Sequence, residues 1–150
     1  MKVNDVMIEN VSFCRENETL GKAAELMWQK DCGMVPVLND EDEIIGVVTD
    51  RDICIAVASR NQLPSDISVK DLADGKVITC SKKHSVKKVL KIMKKHQIKR
   101  LPVVGNNGKI CGVVSINDML QMRKSKRYKK QIIKTLTAIG RPSPILLEEV

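Results

Sequence analysis

An internal repeat constrains the fold of this chain more than any local pattern does. Shifting the sequence by 66 positions aligns residues 3–54 with residues 69–120 without a gap, and thirteen aligned pairs are identical. The stretch GVVTDRDI, which begins at Gly46, returns as GVVSINDM, which begins at Gly112. A repeat of this kind predicts two copies of one structural unit.

Each unit is predicted to have the order β-α-β-β-α. Strands are expected at about residues 11–14 and 77–80, and Thr19 and Ser85 are expected to cap the following helices, since apolar residues then recur at helical spacing. Two short apolar strands come next, joined by the turn-forming stretches NDED and GNNGK, and a hydroxyl residue then starts a second helix. One unit is too small to close its own core. The prediction is an α+β fold in which two units pack sheet to sheet about a pseudo-two-fold axis.

The predicted divisions are repeat 1 at residues 1–60, a connector at 61–68, repeat 2 at 69–121, and a basic helical extension with a proline-containing tail at 122–150. No apolar run approaches the ~18 residues that cross a bilayer, and the first ten residues do not read as a secretory signal. Five cysteines without CxxC spacing predict reduced, buried thiols in a cytoplasmic protein, with no disulfide frame and no zinc site.

Charge divides the chain into an acidic and a basic half. The net charge is −7 over residues 1–66, +9 over 67–118 and +6 over 119–150. The basic block MRKSKRYKK, at residues 122–130, is predicted to continue the last helix of repeat 2. These charges leave a nucleic-acid or acidic-partner surface open as an alternative function. Because aromatic residues make up only 2% of the chain, base stacking on such a surface is not expected.

The sequence does not predict an enzyme. His84 and His96 lie twelve residues apart on one predicted helix, which puts them roughly 120° apart around its axis and not in position to share a metal. No nucleophile elbow, Walker loop or HExxH motif is present. Neither a catalytic residue nor a metal ligand is therefore predicted.

The doubled phrase places a hydroxyl residue three positions before an acid: Thr49 with Asp52, and Ser115 with Asp118. One interpretation is purely structural, because such pairs cap helices. The other is nucleotide binding, since a helix N-terminus suits phosphate and a carboxylate can accept both hydroxyls of a ribose. The neighbouring strands would then offer backbone amides and side chains such as Met34 and Val35 to sandwich a base.

These paired motifs resemble a tandem pair of CBS domains over about residues 1–121. The resemblance rests on VNDVM with VKDLA, TLGKAAELM with SVKKVLKIM, the Pro-Val strands, and GVVTDRD with GVVSIND. It implies a regulatory module with two clefts for AMP, ADP, ATP or S-adenosylmethionine and without a catalytic cofactor. An energy-sensing homodimer that signals ligand occupancy to an unidentified target protein is the expected form.

The resemblance also assigns residues to the clefts. Thr49 and Asp52 belong to a first cleft, and Ser115 and Asp118 to a second. Lys99 and Arg100, the basic residues before the strand proline, are assigned to phosphate contacts. Thr79 is assigned to a position that borders the opposite repeat's cleft.

The two repeats differ before the strand proline, where Gly33-Met34-Val35 aligns with Lys99-Arg100-Leu101. The first cleft is therefore expected to lack the basic pair and to have only Arg51 nearby. The second cleft is expected to suit phosphates better.

Overall fold

The computed structural model describes residues 1–73, 76–122 and 125–142. The chain forms two three-stranded sheets, each with helices, which confirms the predicted α+β fold. The elements of repeat 1 are β1 (Cys14–Arg15), α1 (Leu20–Lys30), β2 (Met34–Leu38), β3 (Ile44–Thr49) and α2 (Asp50–Arg60). Those of repeat 2 are β4 (Cys80–Ser81), α3 (Val86–His96), β5 (Arg100–Val104), β6 (Ile110–Ser115) and α4 (Ile116–Gln121), and α5 (Ser125–Ile139) follows them.

The two sheets repeat each other in register. In repeat 1, β1 runs parallel to β2, which pairs antiparallel with β3, and Met34 lies opposite Thr49. Repeat 2 has the same order, and Arg100 lies opposite Ser115. Both central strands carry a register shift at the same place, after Val37 and after Val103. The offset of 66 residues therefore holds for backbone geometry as well as for sequence.

The predicted helix caps are present. Thr19 accepts a hydrogen bond from the backbone N–H of Lys22, and Ser85 accepts one from that of Lys88. Behind these caps, α1 buries Leu20, Ala23 and Met27, and α3 buries its corresponding apolar stripe. Each helix thus covers its own sheet with the face that the spacing predicts.

The short turns that open the two repeats are exchanged between the cores. Val3, in the turn Val3–Asp5, is fully buried in the core of repeat 2, and Ile8 pairs with Val113 on β6. Val69, in the turn Val69–Asp71, is fully buried in the core of repeat 1. Each repeat therefore completes its core with the turn that opens the other.

The opening strand of repeat 1 is shorter and begins later than predicted. β1 begins at Cys14 because its parallel partner supplies ladder positions only at Val37 and Leu38. The predicted connector, 61–68, also contributes to the core of repeat 1: Ile67 is 1% exposed there, and its carbonyl accepts the Leu20 N–H.

The basic block does not continue the helix. Met122 has an extended backbone (ψ 143°) and buries its side chain in the core of repeat 2, so α4 ends at Gln121 and α5 starts separately at Ser125. His84 also lies outside the helix predicted for it, because Ser85 caps α3 and His84 comes before that cap. In the described parts of the chain, no helix is long and apolar enough to cross a membrane. The predicted tail beyond residue 142 lies outside the described residues.

Candidate functional site

The two hydroxyl–acid pairs form capping boxes at the ends of equivalent strands. Thr49 caps α2: its Oγ1 accepts from the Asp52 N–H (3.2 Å) and donates to Asp52 Oδ2 (2.7 Å). The backbone N–H of Thr49 also donates to Asp52 Oδ2 (2.9 Å). Ser115 and Asp118 repeat all three contacts at the start of α4, at 3.3, 2.7 and 2.6 Å. The structural role predicted for these residues is therefore confirmed at both places.

A cavity of about 790 Å³ lies beside the Thr49 cap, and we call it the Thr49 cavity. Its volume is within the range typical of small-molecule sites. Repeat 1 contributes the start of β2 and the junction of β3 with α2, and repeat 2 contributes the segment before β4 and the loop from α3 to β5. The end of α5 completes the wall. Its lining residues include five of the ten predicted site residues: Met34, Thr49, Arg51, Lys99 and Arg100.

The grouping of these residues corrects the sequence assignment. Lys99 and Arg100 lie in the same cavity as Thr49, so the cleft that was expected to lack a basic pair contains it. The offset of 66 residues assigned the pair to the cleft of its own repeat. The structure instead brings the loop of repeat 2 against the strand ends of repeat 1.

The charge of the cavity wall is strongly positive. Five basic side chains line it, with one carboxylate among the described residues: Arg51, Lys76, Lys99, Arg100 and Arg141, against Asp50. Asp50 Oδ1 accepts from the Arg51 N–H at 2.8 Å. Across residues 1–73, 76–122 and 125–142, the side chains of Arg51, Lys99, Arg100 and Arg141 make no ion pair. Cations gathered without partners around a concave site favour an anionic ligand.

The cavity wall also has apolar residues. They are Met34, Val47, Ile78, Ile98, Pro102 and Ile139. Apolar walls with a few convergent polar groups are typical of sites for small organic ligands. The wall could therefore hold a base or another flat apolar group while the basic side chains hold an anion.

Five predicted site residues are not in the wall of this cavity. Val35 is fully buried in the core of repeat 1, so its side chain cannot sandwich a base as predicted. Thr79 is half-buried just before β4 and does not line the cavity. Asp52, Ser115 and Asp118 are half-buried in their capping boxes and also lie outside the lining.

Sequence reasoning missed several lining residues. Lys76 and Ile78 come before β4, and Gln97 and Ile98 come after α3, so all four lie in short connections where the repeat gives no signal for function. The positive charge of Lys76 was visible in the sequence, but its position relative to Thr49 depends on the packing of the two repeats. The segment 139–142 was assigned to an extension without a role, and it forms part of the wall.

The cysteines are all free thiols, as predicted, but they are not all buried. Burial raises the pKa of Cys14 to about 11 and that of Cys80 to about 12, which keeps both protonated. Cys54 is exposed, because α2 buries only Ala56 fully. Among the described residues, no group of three or more His, Cys, Asp or Glu side chains is placed to hold a metal.

Comparison with known families decides the classification. The family model of the CBS domain matches this chain twice, at residues 3–59 and 69–125. This chain belongs to the CBS domain family. The two matches correspond to the two repeats, and the resemblance predicted from the paired motifs is confirmed.

Relatives of this CBS pair include an uncharacterized protein of Methanopyrus kandleri, 34% identical over 81% of this chain. The chain spans 62% of the length of that relative. Hypoxic response protein 1 of Mycobacterium tuberculosis is 31% identical over 77% of this chain and 80% of its own length. A crystal structure of hypoxic response protein I with two coordinated zinc ions has a TM-score of 0.74 at 30% identity, covering 81% of this chain and 98% of that one.

A solved structure with a bound ligand is also similar. The CBS domain protein of Pyrobaculum aerophilum, complexed with AMP, has a TM-score of 0.76 at 25% identity. The match covers 85% of this chain and 96% of that one.

Proposed function

We propose that this CBS pair binds an anionic adenine nucleotide in the Thr49 cavity and that occupancy regulates an unidentified target protein. The observation that carries the proposal is the group of basic side chains in the cavity wall, which lie together with apolar residues. Within residues 1–73, 76–122 and 125–142, four of them (Arg51, Lys99, Arg100 and Arg141) make no ion pair. The complex of the P. aerophilum relative with AMP supports an adenosine ligand. We assign the cavity a regulatory role, since its described wall offers charge and shape, and the one hydroxyl–carboxylate pair at that wall, Thr49 with Asp52, forms a helix cap.

Electrostatics predicts an order of affinity for AMP, ADP, ATP and S-adenosylmethionine. AMP, ADP and ATP carry increasing negative charge, and each phosphate oxygen can accept charge-assisted hydrogen bonds from Lys99 or Arg100. S-Adenosylmethionine carries a sulfonium cation, which five basic side chains would repel. We therefore place the phosphorylated nucleotides ahead of S-adenosylmethionine.

In this scheme Thr49 has two tasks. Its backbone and hydroxyl begin α2, and the positive end of the helix dipole at this point suits a phosphate. Asp52 stabilises the same turn through its Oδ2. The second cleft, at Ser115 and Asp118, has the same capping box, and we assign it a secondary role.

We also propose that the molecule acts as a cytoplasmic homodimer. The free cysteines support a reducing compartment. Trp28, on α1, is 88% exposed, and an exposed side chain of that size favours an interface with another molecule.

A calorimetric titration tests the nucleotide proposal, with adenosine, AMP, ADP, ATP and S-adenosylmethionine as ligands. Arg100→Gln should weaken ATP binding about ten- to hundredfold, because a hydrogen bond to a charged partner is lost. Lys95→Gln is the matched control: it removes an exposed charge of α3 that does not line the cavity, and affinity should change by less than about twofold. Saturating nucleotide, at a hundred times Kd, should raise the melting temperature by roughly 5–10 °C.

The proposal fails if no adenine nucleotide binds at millimolar concentration, or if S-adenosylmethionine binds more tightly than ATP. A nucleic-acid surface is the second candidate, favoured by the exposed lysines of α3: Lys87, Lys88, Lys91, Lys94 and Lys95. Binding to an oligonucleotide that weakens steeply with salt and with Lys95→Gln, but not with Arg100→Gln, would support that candidate instead.

A further inference from the structure

The end of α5 lies in the wall of the Thr49 cavity, although α5 follows the second CBS match, which ends at residue 125. Four consecutive residues beyond or at the end of this helix line the cavity: Ile139, Gly140, Arg141 and Pro142. The extension is therefore placed where it can contact a ligand.

The position of α5 is fixed by its contacts with repeat 2. Ile132 is 1% exposed within the core of repeat 2, and Thr135 is 2% exposed. The Thr135 hydroxyl has one proton and two carbonyl oxygens within hydrogen-bond distance, that of Gln131 in its own helix at 2.9 Å and that of Leu90 on α3 at 3.2 Å. Burial of Ile132 and of Thr135, whose hydroxyl lies against α3, holds the helix in one place, so its last turn is positioned before any ligand arrives.

Gln97 connects this last turn to the basic loop. Its backbone has a left-handed conformation (φ 53°) at the end of α3, and its Nε2 donates to the carbonyls of Ala138 (2.8 Å) and Arg141 (3.4 Å). The next residues along the chain lead directly to Lys99 and Arg100. The loop from α3 to β5 thus holds the end of α5 through Gln97 and leads to two cavity cations, Lys99 in the loop and Arg100 at the start of β5.

The C-terminal end of α5 favours an anion, because the Gln97 cap and the charge of Arg141 outweigh the negative end of the helix dipole. The C-terminus of a helix carries partial negative charge, which would repel a phosphate. The Gln97 amide covers the carbonyl of Ala138, and the exposed Arg141 brings a full positive charge to the same place. Arg141 forms no ion pair within the described residues.

We propose that Arg141 is a specificity residue of the cavity, which binds the outer phosphates of a nucleotide and so makes affinity rise with phosphate number. This inference rests on the proposed function for the identity of the ligand as a nucleotide. Arg51, Lys99 and Arg100 lie around the junction of the two repeats, whereas Arg141 approaches from α5. A ligand with one phosphate can be held by the first group, and a longer phosphate chain has a further cation to reach.

The test is a titration of the whole chain with adenosine, AMP, ADP and ATP, comparing the parent with Arg141→Gln and Lys134→Gln. Lys134 is the matched control, because it is an exposed cation of α5 that does not line the cavity. Arg141→Gln should weaken ATP binding by at least about tenfold, through loss of a charge-assisted hydrogen bond, and should leave adenosine within about twofold. Lys134→Gln should leave all four ligands within about twofold.

Inorganic tripolyphosphate separates this inference from the proposed function. If no nucleotide binds but tripolyphosphate binds the parent and is weakened by Arg141→Gln, the adenosine proposal falls and the role of Arg141 stands. If ATP binds the parent and Arg141→Gln equally well, the inference is overturned and the proposed function stands. If neither nucleotide nor tripolyphosphate binds, both are overturned. Both variants should melt within about 2 °C of the parent, and a larger loss for Arg141→Gln would assign Arg141 to the fold and overturn the inference.

Discussion

Thr49→Val and Ser115→Ala separate helix capping from ligand binding. Each change removes a capping hydroxyl and keeps the approximate shape of the side chain. Each loses one bond to the N–H of the third helical residue, at 3.2 and 3.3 Å, and one to the carboxylate, at 2.7 Å in both. The backbone N–H of residue 49 or 115 still donates to that carboxylate. Loss of such a cap costs about 1 kcal/mol, which for this chain length lowers the melting temperature by roughly 2–4 °C.

The two variants should differ in ligand binding. Of the two capping residues, Thr49 lines the cavity that contains Lys99 and Arg100, and Ser115 does not. The Thr49 hydroxyl donates its one proton to Asp52 in the free protein and would turn that proton to a bound phosphate. We therefore expect Thr49→Val, which loses this charge-assisted hydrogen bond, to weaken ATP binding a further ten- to hundredfold, about 1.5–3 kcal/mol. Ser115→Ala should leave ATP affinity within about twofold, since its cap lies outside that cavity.

Differential scanning fluorimetry without ligand measures the first effect, and isothermal titration calorimetry at fixed ionic strength measures the second. Equal losses of ATP affinity in the two variants would refute the placement of the nucleotide in the Thr49 cavity. A larger loss for Ser115→Ala would restore the ranking first expected from the sequence. Equal melting losses with unchanged affinity in both variants would mean that both hydroxyls act only as caps.

Three further predictions concern stability and assembly. The pKa of His84 is lowered by burial and by the neighbouring Lys88, so the folded state takes up a proton less readily than the unfolded state. The free energy of unfolding should therefore fall as pH drops below about 6.5. In melting curves measured from pH 5 to 8, His84→Gln should reduce this pH dependence. Gly46→Ala should destabilise by about 1–3 kcal/mol in urea unfolding, because its new Cβ would lie 2.6 Å from the Ala73 Cα. Gly112→Ala should cost less, since its new Cβ would meet the flexible Met7 sulfur at 2.8 Å and the Ile8 carbonyl oxygen at 3.0 Å; equal losses would contradict this. Trp28→Lys should convert the proposed dimer to a monomer in light scattering, and an unchanged mass would place the interface elsewhere.

The sequence predicted the repeat unit well because its signals are local. Caps at Thr19 and Ser85, helical spacing behind them, and turn-forming residues between short strands are each determined within a few residues. The hydroxyl residues that begin α2 and α4 belong to the same class of signal, and their capping boxes have the predicted geometry. The boundaries that failed depend on distant partners, as at Met122, whose burial in the core of repeat 2 ends α4.

Only part of the candidate site could be predicted from the sequence, because the rest depends on contacts between residues that are distant in the chain. Four of the predicted site residues, Thr49, Arg51, Lys99 and Arg100, line the cavity, and their role in binding stays a prediction. Their grouping was wrong, because a sequence offset aligns equivalent positions and does not say which of them face each other. The role of Gln97 was also out of reach, since its side chain contacts a helix that lies 41 residues later in the chain.

The exchange of opening turns explains why the basic residues of repeat 2 lie in the cleft at the helix start of repeat 1. Val3 completes the core of repeat 2, and Ile67 and Val69 complete that of repeat 1, so neither repeat is a closed unit and their junction is part of the fold. A cavity at such a junction takes one wall from each repeat. Repeat 1 supplies the helix start at Thr49, and the basic half of the chain supplies Lys99 and Arg100. Because both repeats have the same backbone register, a substitution in one loop changes the charge of the opposite repeat's cleft without changing the capping box there. The charge difference between the halves of this chain therefore acts across the cavity, where it favours an anionic ligand.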